Sequence, residues 1–114
     1  TMNCTVSIAG HRLQCEVART PDELSRGLLG RTWLRPDEGM LVVFPREAHM
    51  EMHTLNMKMP IDIVFVSRDS RVCRVDRRVP PGRRVGHEAA FVVEVAAGWA
   101  EAHGIHIGDK VTVQ

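Results

Sequence analysis

The residues best suited to chemistry lie between His49 and Val66, in the stretch HMEMHTLNMKMPIDIVFV. It holds four of the chain's six methionines, two of its six histidines and a lone aspartate, Asp62, within an apolar run. Three chemistries suit these side chains. Imidazole and thioether groups of His49, Met50, Met52, His53, Met57 and Met59 are ligands for Cu(I). His49, Glu51 and His53 have the alternation that a zinc site on one strand face would use. His53 oriented by Asp62 has the makings of a general acid–base pair in a hydrolase-like enzyme.

Each chemistry meets a physical objection. Strand alternation places His49, Glu51 and His53 on one side and Met50 and Met52 on the other, so a single strand cannot gather them all. Methionine also fills irregular cores well, which accounts for the thioethers without a metal. No zinc-type spacing motif accompanies the histidines. The acid–base pair lacks a nucleophile, because Thr54 is the only nearby hydroxyl and no Gly-x-Ser-x-Gly element occurs.

Asp62 is the most informative single residue. In a strand, Ile61, Ile63 and Phe65 share one face and Asp62, Val64 and Val66 the other. If both faces are covered, the carboxylate needs a partner. Arg26, Arg31 and His53 are the candidates, and the alternative is a carboxylate that ties down loop backbone. A helix bearing Arg26 and packed over a barrel mouth would let Arg26, Arg31, His53, Asn56 and Asp62 converge. Such a pocket suits a small polar or anionic ligand. These five residues are the expected ligand-binding set.

The elements that must position them are short. Thr5 to Ala9 and Arg12 to Ala18 alternate in polarity around Gly10-His11, which reads as an opening β-hairpin. A two-residue turn there sets Ile8 opposite Leu13 and Val6 opposite Cys15, with Cys4 diagonal to Cys15. A Cys4–Cys15 disulfide would need a different register. Thr20-Pro21-Asp22-Glu23 is a helix start with a cap, a proline at the first position and a capping box, and Gly30 is placed to end that helix. Met40 to Phe44 reads as a buried strand bounded by Gly39 and Pro45. Ile61 to Val66 and Val72 to Val75 flank Ser67–Ser70 as a second hairpin. Arg77 to Val85 is the one basic cluster, and its two prolines and glycine read as a loop. Phe91 to Val95 is a strand with Glu94 among valines. Trp99 to His103 forms a helical turn stopped by Gly104, and Val111 to Val113 closes the chain. His11, His87, His103 and His106 fall in expected loops. The expected fold is mainly β: one small barrel or sandwich of seven or eight short strands with one or two short helices.

Composition bounds the rest. A chain of 114 residues, 44% hydrophobic and 25% charged, suits one domain spanning 1–114 with its own core. A formal charge of +1 and 4% aromatics argue against nucleic acid as a partner. No apolar run approaches the roughly 20 residues of a membrane span. Cys4, Cys15 and Cys73 are widely spaced, form no Cys-x-x-Cys pair, and read as packed free thiols of a reducing compartment. Thr1 before Met2 reads as a remnant or the trimmed end of a longer chain. The expected location is therefore cytoplasmic, or exported if an upstream signal peptide has been removed.

The motifs have a family resemblance. Arg26-Gly27-Leu28-Leu29-Gly30-Arg31, then Glu38-Gly39-Met40-Leu41 with Phe44, resemble the N-terminal signature of the domain-of-unknown-function 192 family. His53-Thr54, Met57 and Pro60-Ile61-Asp62-Ile63-Val64-Phe65 resemble its central signature, and Val93-Glu94, Ala97-Gly98 and Gly108-Asp109 its C-terminal one. The similarity runs from about Cys15 to Val113. Many members carry Trp-Met-x-Asn-Thr before the Pro-x-Asp element. Here His53-Thr54 replaces Trp-Met, Asn56 is kept and Met57 replaces the threonine, a His-Thr-x-x-Met form. A role tied to that tryptophan does not transfer. The resemblance implies a mostly β domain and no particular activity. The leading expectation is a non-enzymatic module that binds an unidentified small polar ligand or protein partner around His53 and Asp62. The alternatives are the His53/Asp62 enzyme and the Cu(I) module. No cofactor is called for, and the expected state is a monomer or small homo-oligomer.

Overall fold

A computed structural model describes residues 3–19, 31–32 and 34–114. Seven strands make one sheet: β1 (Asn3–Ile8), β2 (His11–Ala18), β3 (Glu38–His53), β4 (Ile61–Val66), β5 (Val72–Val79), β6 (Arg84–Ala96) and β7 (Val111–Val113). Among the described residues one short helix, α1 (Trp99–Ala102), precedes β7. The strand order is β5-β4-β6-β3-β2-β1-β7. All neighbours are antiparallel except β2 and β3. The sheet curls until its edges meet at one end. There the Val72 N–H donates to the Asp109 carbonyl at 2.8 Å, and the Val111 N–H to the Ser70 carbonyl at 2.9 Å. The expected mainly β fold is thus a half-barrel. The helix expected at residues 20–30 lies outside the described residues.

The curl has two apolar faces. Val6, Ile8, Leu13, Cys15, Val17, Leu41, Val64, Val93 and Val95 pack inside it, closed by Trp99, Ala100 and Ile105 from α1 and the segment after it. The outer face carries Ile61, Ile63, Phe65, Met40, Val42 and Val92, covered by Met50, Met57, Met59 and Ala89. Every residue of β4 is buried because it has a core on each side. The expected division into Ile61/Ile63/Phe65 and Asp62/Val64/Val66 therefore holds.

Three local expectations are corrected. The opening hairpin turns at Ala9-Gly10, with φ of 51° and 83°, not at Gly10-His11. Two left-handed residues make the tight turn that matches strand twist. The register shifts accordingly: Ile8 faces His11, Val6 faces Leu13, and Cys4 lies directly opposite Cys15. Second, the basic cluster is mostly strand. Arg77 to Val79 ends β5 and Arg84-Val85 begins β6, leaving only residues 80–83 to turn. Prolines and glycine mark the turn itself, while the alternating Arg and Val on either side continue the ribbon. Third, His11 and His87 sit in strands, β2 and β6.

β3 and β6 are long because they form one bent ribbon. Their register shifts between Val43 and Ala48, beside Pro45, which cannot donate to a regular ladder. Beyond this irregularity the ribbon brings Met50 and Ala89 onto the outer face.

Candidate functional site

The expected site residues that the structure describes occupy three different environments. Arg26 lies outside the described residues. Arg31 is half-buried and donates to the Glu16 carboxylate at 3.0 Å. The two line the wall of a groove of about 330 Å³, with Asn3, Gln14, Cys15 and Glu38. His53 is exposed at the end of β3, where its Nδ1 accepts the Leu55 N–H at 3.3 Å. Asn56 is exposed in the following loop with φ of 64°, the left-handed region that asparagine tolerates better than most residues. Asp62 is 0% exposed.

Asp62 is held by backbone. Its Oδ1 accepts the Arg78 N–H at 2.8 Å and its Oδ2 accepts the Ala100 N–H at 2.9 Å. The local geometry follows from a bulge. Ile61 pairs with Val79 and Ile63 with Asp76, so Asp62 faces two residues, Arg77 and Arg78. Arg78 takes a φ of 51° to fit this extra residue, and its N–H reaches the carboxylate. At α1, the N-cap position is Gly98, which has no side chain to satisfy the first-turn N–H groups. Asp62 supplies that cap from another strand. Gly98 is required by its backbone conformation, and the Arg78 side chain lies close beside it. Its φ is 90°, and an added Cβ would lie 3.1 Å from Arg78 Nη2. Among the described residues Asp62 and His53 share no hydrogen bond or ion pair.

A second buried polar residue organises two further loops. Thr54, 0% exposed, donates its hydroxyl to the Pro80 carbonyl at 2.7 Å and accepts the Arg83 N–H at 2.9 Å. Its own N–H donates to the Arg83 carbonyl at 2.8 Å, and its carbonyl accepts the N–H groups of Gly82 and Met57 at 2.9 and 3.2 Å. One threonine therefore fastens residues 54–57 to residues 80–83. Around this knot His53, Asn56, Lys58, Arg83 and Arg84 are all exposed. Among the described residues only Arg84 of these has an acidic neighbour, Glu51 at 3.9 Å. The two loops form a fixed, basic, solvent-facing rim.

In the sequence Glu94 is noted among valines but is given no role. Its register partners are Met40 and Ile63, so it points to the apolar outer face. It is 5% exposed, and burial pushes its carboxyl up to about 7. Its signals in the sequence are an acid inside a valine run and the Val93-Glu94 pair of the C-terminal signature.

The metal readings fare as alternation dictates. Met50, Met57 and Met59 are buried in the outer-face core, whereas His49 and His53 are exposed. Thioethers and imidazoles are thus not gathered. Among the described residues no three His, Cys, Asp or Glu side chains are placed to hold a metal ion. Among the described residues, too, no helix is long and apolar enough to cross a membrane.

The fold and these fixed loops define a small half-barrel β domain with a plugged end and a polar rim. The chain belongs to the DUF192 family, described as "Uncharacterized ACR", whose model matches residues 4–113. No match was found among curated proteins. Similar crystal structures include these two. One is a Sinorhizobium meliloti protein provisionally described as a transcription regulator, with a TM-score of 0.92 and 26% identity over 98% of this chain and 94% of that one. The other is a Novosphingobium aromaticivorans protein of unknown function, with a TM-score of 0.88 and 32% identity over 97% and 84%.

Proposed function

We propose that this protein is a non-enzymatic binding module that takes a small polar ligand bearing a carboxylate or phosphate at the rim formed by residues 53–58 and 80–84. The observation that carries this reading is the Thr54 knot. A fully buried threonine spends its side chain and both backbone groups on fixing two exposed loops. Those loops carry Lys58, Arg83 and Arg84 beside His53 and Asn56. Fixing donors before a ligand arrives lowers the ordering cost of binding. Arg83 supplies a planar fork suited to a carboxylate or phosphate, and Lys58 a point charge.

Asp62 belongs to this reading as a strut. It holds β4, the β5 bulge and α1 together, and both of its oxygens already accept backbone N–H groups. An acid–base role beside His53 has no comparable support. The description of the Sinorhizobium protein concerns that protein. For this chain, a formal charge of +1 and 4% aromatics favour a small anion over a nucleic acid. Three free thiols favour a cytoplasmic location.

The test is calorimetric titration with inorganic phosphate and with citrate at low and high ionic strength. Saturable binding that weakens with salt, and falls at least about tenfold in Lys58→Ala/Arg83→Ala, supports the reading, since a lost charge-assisted contact is worth about 1.4 kcal/mol or more. Binding of neither anion, or equal binding by the double variant, overturns it.

A further inference from the structure

The shifted register of the opening hairpin places two thiols face to face. Cys4 on β1 and Cys15 on β2 are directly opposed residues of an antiparallel pair. Such residues have Cα atoms about 4.5–5.5 Å apart and side chains on one face, inside the roughly 4.4–6.8 Å range that a disulfide spans. Both thiols are free in this structure. Cys4 is half-buried and Cys15 buried. Space for the Cys15 sulfur is made by its other strand neighbour, Gly39. A Cβ at Gly39 would lie 3.2 Å from Cys15 Sγ and 2.8 Å from the Glu94 carbonyl oxygen. Cys15 also lines the groove that carries Arg31, Glu16 and Asn3, which gives a solvent-borne reactant a way to approach the pair.

We propose that Cys4 and Cys15 form an exchangeable dithiol, which reacts with small-molecule disulfides and closes to a cross-strand disulfide at the groove. The half-buried Cys4 attacks first. Its thiolate displaces one thiolate from the incoming disulfide and becomes a mixed disulfide. Cys15 loses its proton to solvent and attacks the Cys4 sulfur, expelling the second small thiolate. Two protein thiols are oxidised and one small-molecule disulfide is reduced to two thiols. Excess small thiol reverses both steps.

The environments of the two sulfurs assign this order. Burial raises the Cys4 thiol, but the nearby Arg19 charge works in the opposite direction. Burial pushes Cys15 up to about 12, with the facing Cys4 thiolate adding to the rise. Formation of the mixed disulfide removes that facing charge and so eases the second step. Cys73 is an internal control. It is half-buried, donates to the Phe65 carbonyl at 3.4 Å and has no cysteine partner. Burial and the charge of Glu47 raise its thiol.

The experiment exposes the native, reduced protein to oxidised glutathione and follows intact mass, free-thiol count and disulfide-linked peptides. The expected product lacks two hydrogens, links Cys4 to Cys15, keeps Cys73 as a thiol and reverts with excess reduced glutathione. Cys15→Ser should stop at one glutathione on Cys4, and Cys4→Ser should leave Cys15 unmodified. Mapping of the unsubstituted protein decides the matter even if a variant folds poorly. Glutathione on Cys73 without a Cys4–Cys15 link, or three thiols persisting through prolonged exposure, would overturn the assignment.

Discussion

Asp62 and Thr54 are both shut away from water, and both collect backbone groups from distant parts of the chain, yet they finish opposite kinds of structure. In front of Asp62 the chain is closed. The carboxylate caps α1, and Trp99 and Ala100 from that helix complete the inner core. In front of Thr54 the chain is open, and the loops it fastens present exposed Lys58, Arg83 and Arg84. Burial of a polar group alone therefore says little about function. What separates the two is what lies on the far side of the fastened backbone, a packed helix in one case and solvent in the other.

Glu94 sharpens the contrast. It sits on β6, which pairs directly with β4, but it faces the methionine-rich outer core instead of the inner one. Asp62 meets two backbone donors made available by a bulge and a helix start. Glu94 meets apolar neighbours on a regular ladder, where the N–H groups are already used by strand pairing, and burial raises its carboxyl. The fate of a buried carboxyl is decided by irregular backbone within reach.

The comparison can be broken at three points, from the largest expected effect downward. Asp62→Ala should leave the Arg78 and Ala100 N–H groups buried and unpaired, and we expect a loss of about 4 kcal/mol in urea denaturation. A loss below about 1 kcal/mol would show that Asp62 is no strut. Glu94 should act in the opposite sense. Its carboxyl lies at about 7 in the folded chain against an ordinary 4.5, so the folded state holds more protons than the unfolded one between these values. Its contribution is then complete below about pH 4.5 and is lost as pH rises to about 7, a change of roughly 3 kcal/mol. Glu94→Gln should remove this part of the pH dependence and be the more stable protein above pH 7, as read from denaturation midpoints across pH. Thr54→Val keeps the shape but loses the hydroxyl, leaving the Pro80 carbonyl and Arg83 N–H without it. We expect about 2 kcal/mol of destabilisation, with faster amide exchange concentrated in residues 80–84.

Much of the scaffold was legible from local pattern. The two faces of Ile61–Val66, the turn at Ser67–Ser70 and the helical turn stopped by Gly104 follow from alternation and turn chemistry, and the structure has them. The hairpin register was not legible, because its turn begins with an alanine in the left-handed region, where glycine or asparagine is the usual signal. The basic cluster hid two strand ends because Pro80-Pro81-Gly82 dominates its composition. The site was harder still. Asp62 finds its partners 16 and 38 residues away, and Thr54 reaches 26 and 29 residues ahead, separations that no local window registers. Arg31, His53 and Asp62 were joined by their chemistry in the sequence, but the fold gives them separate surroundings.

The most direct measurement is amide chemical-shift mapping of the native protein during titration with inorganic phosphate. We expect saturable shifts confined to residues 53–58 and 80–84, absent from Lys58→Ala/Arg83→Ala, with α1 and Asp62 unmoved. Shifts centred on Arg78, Asp62 and α1, or no saturable shift anywhere, would contradict the assignment of the open rim as the binding end.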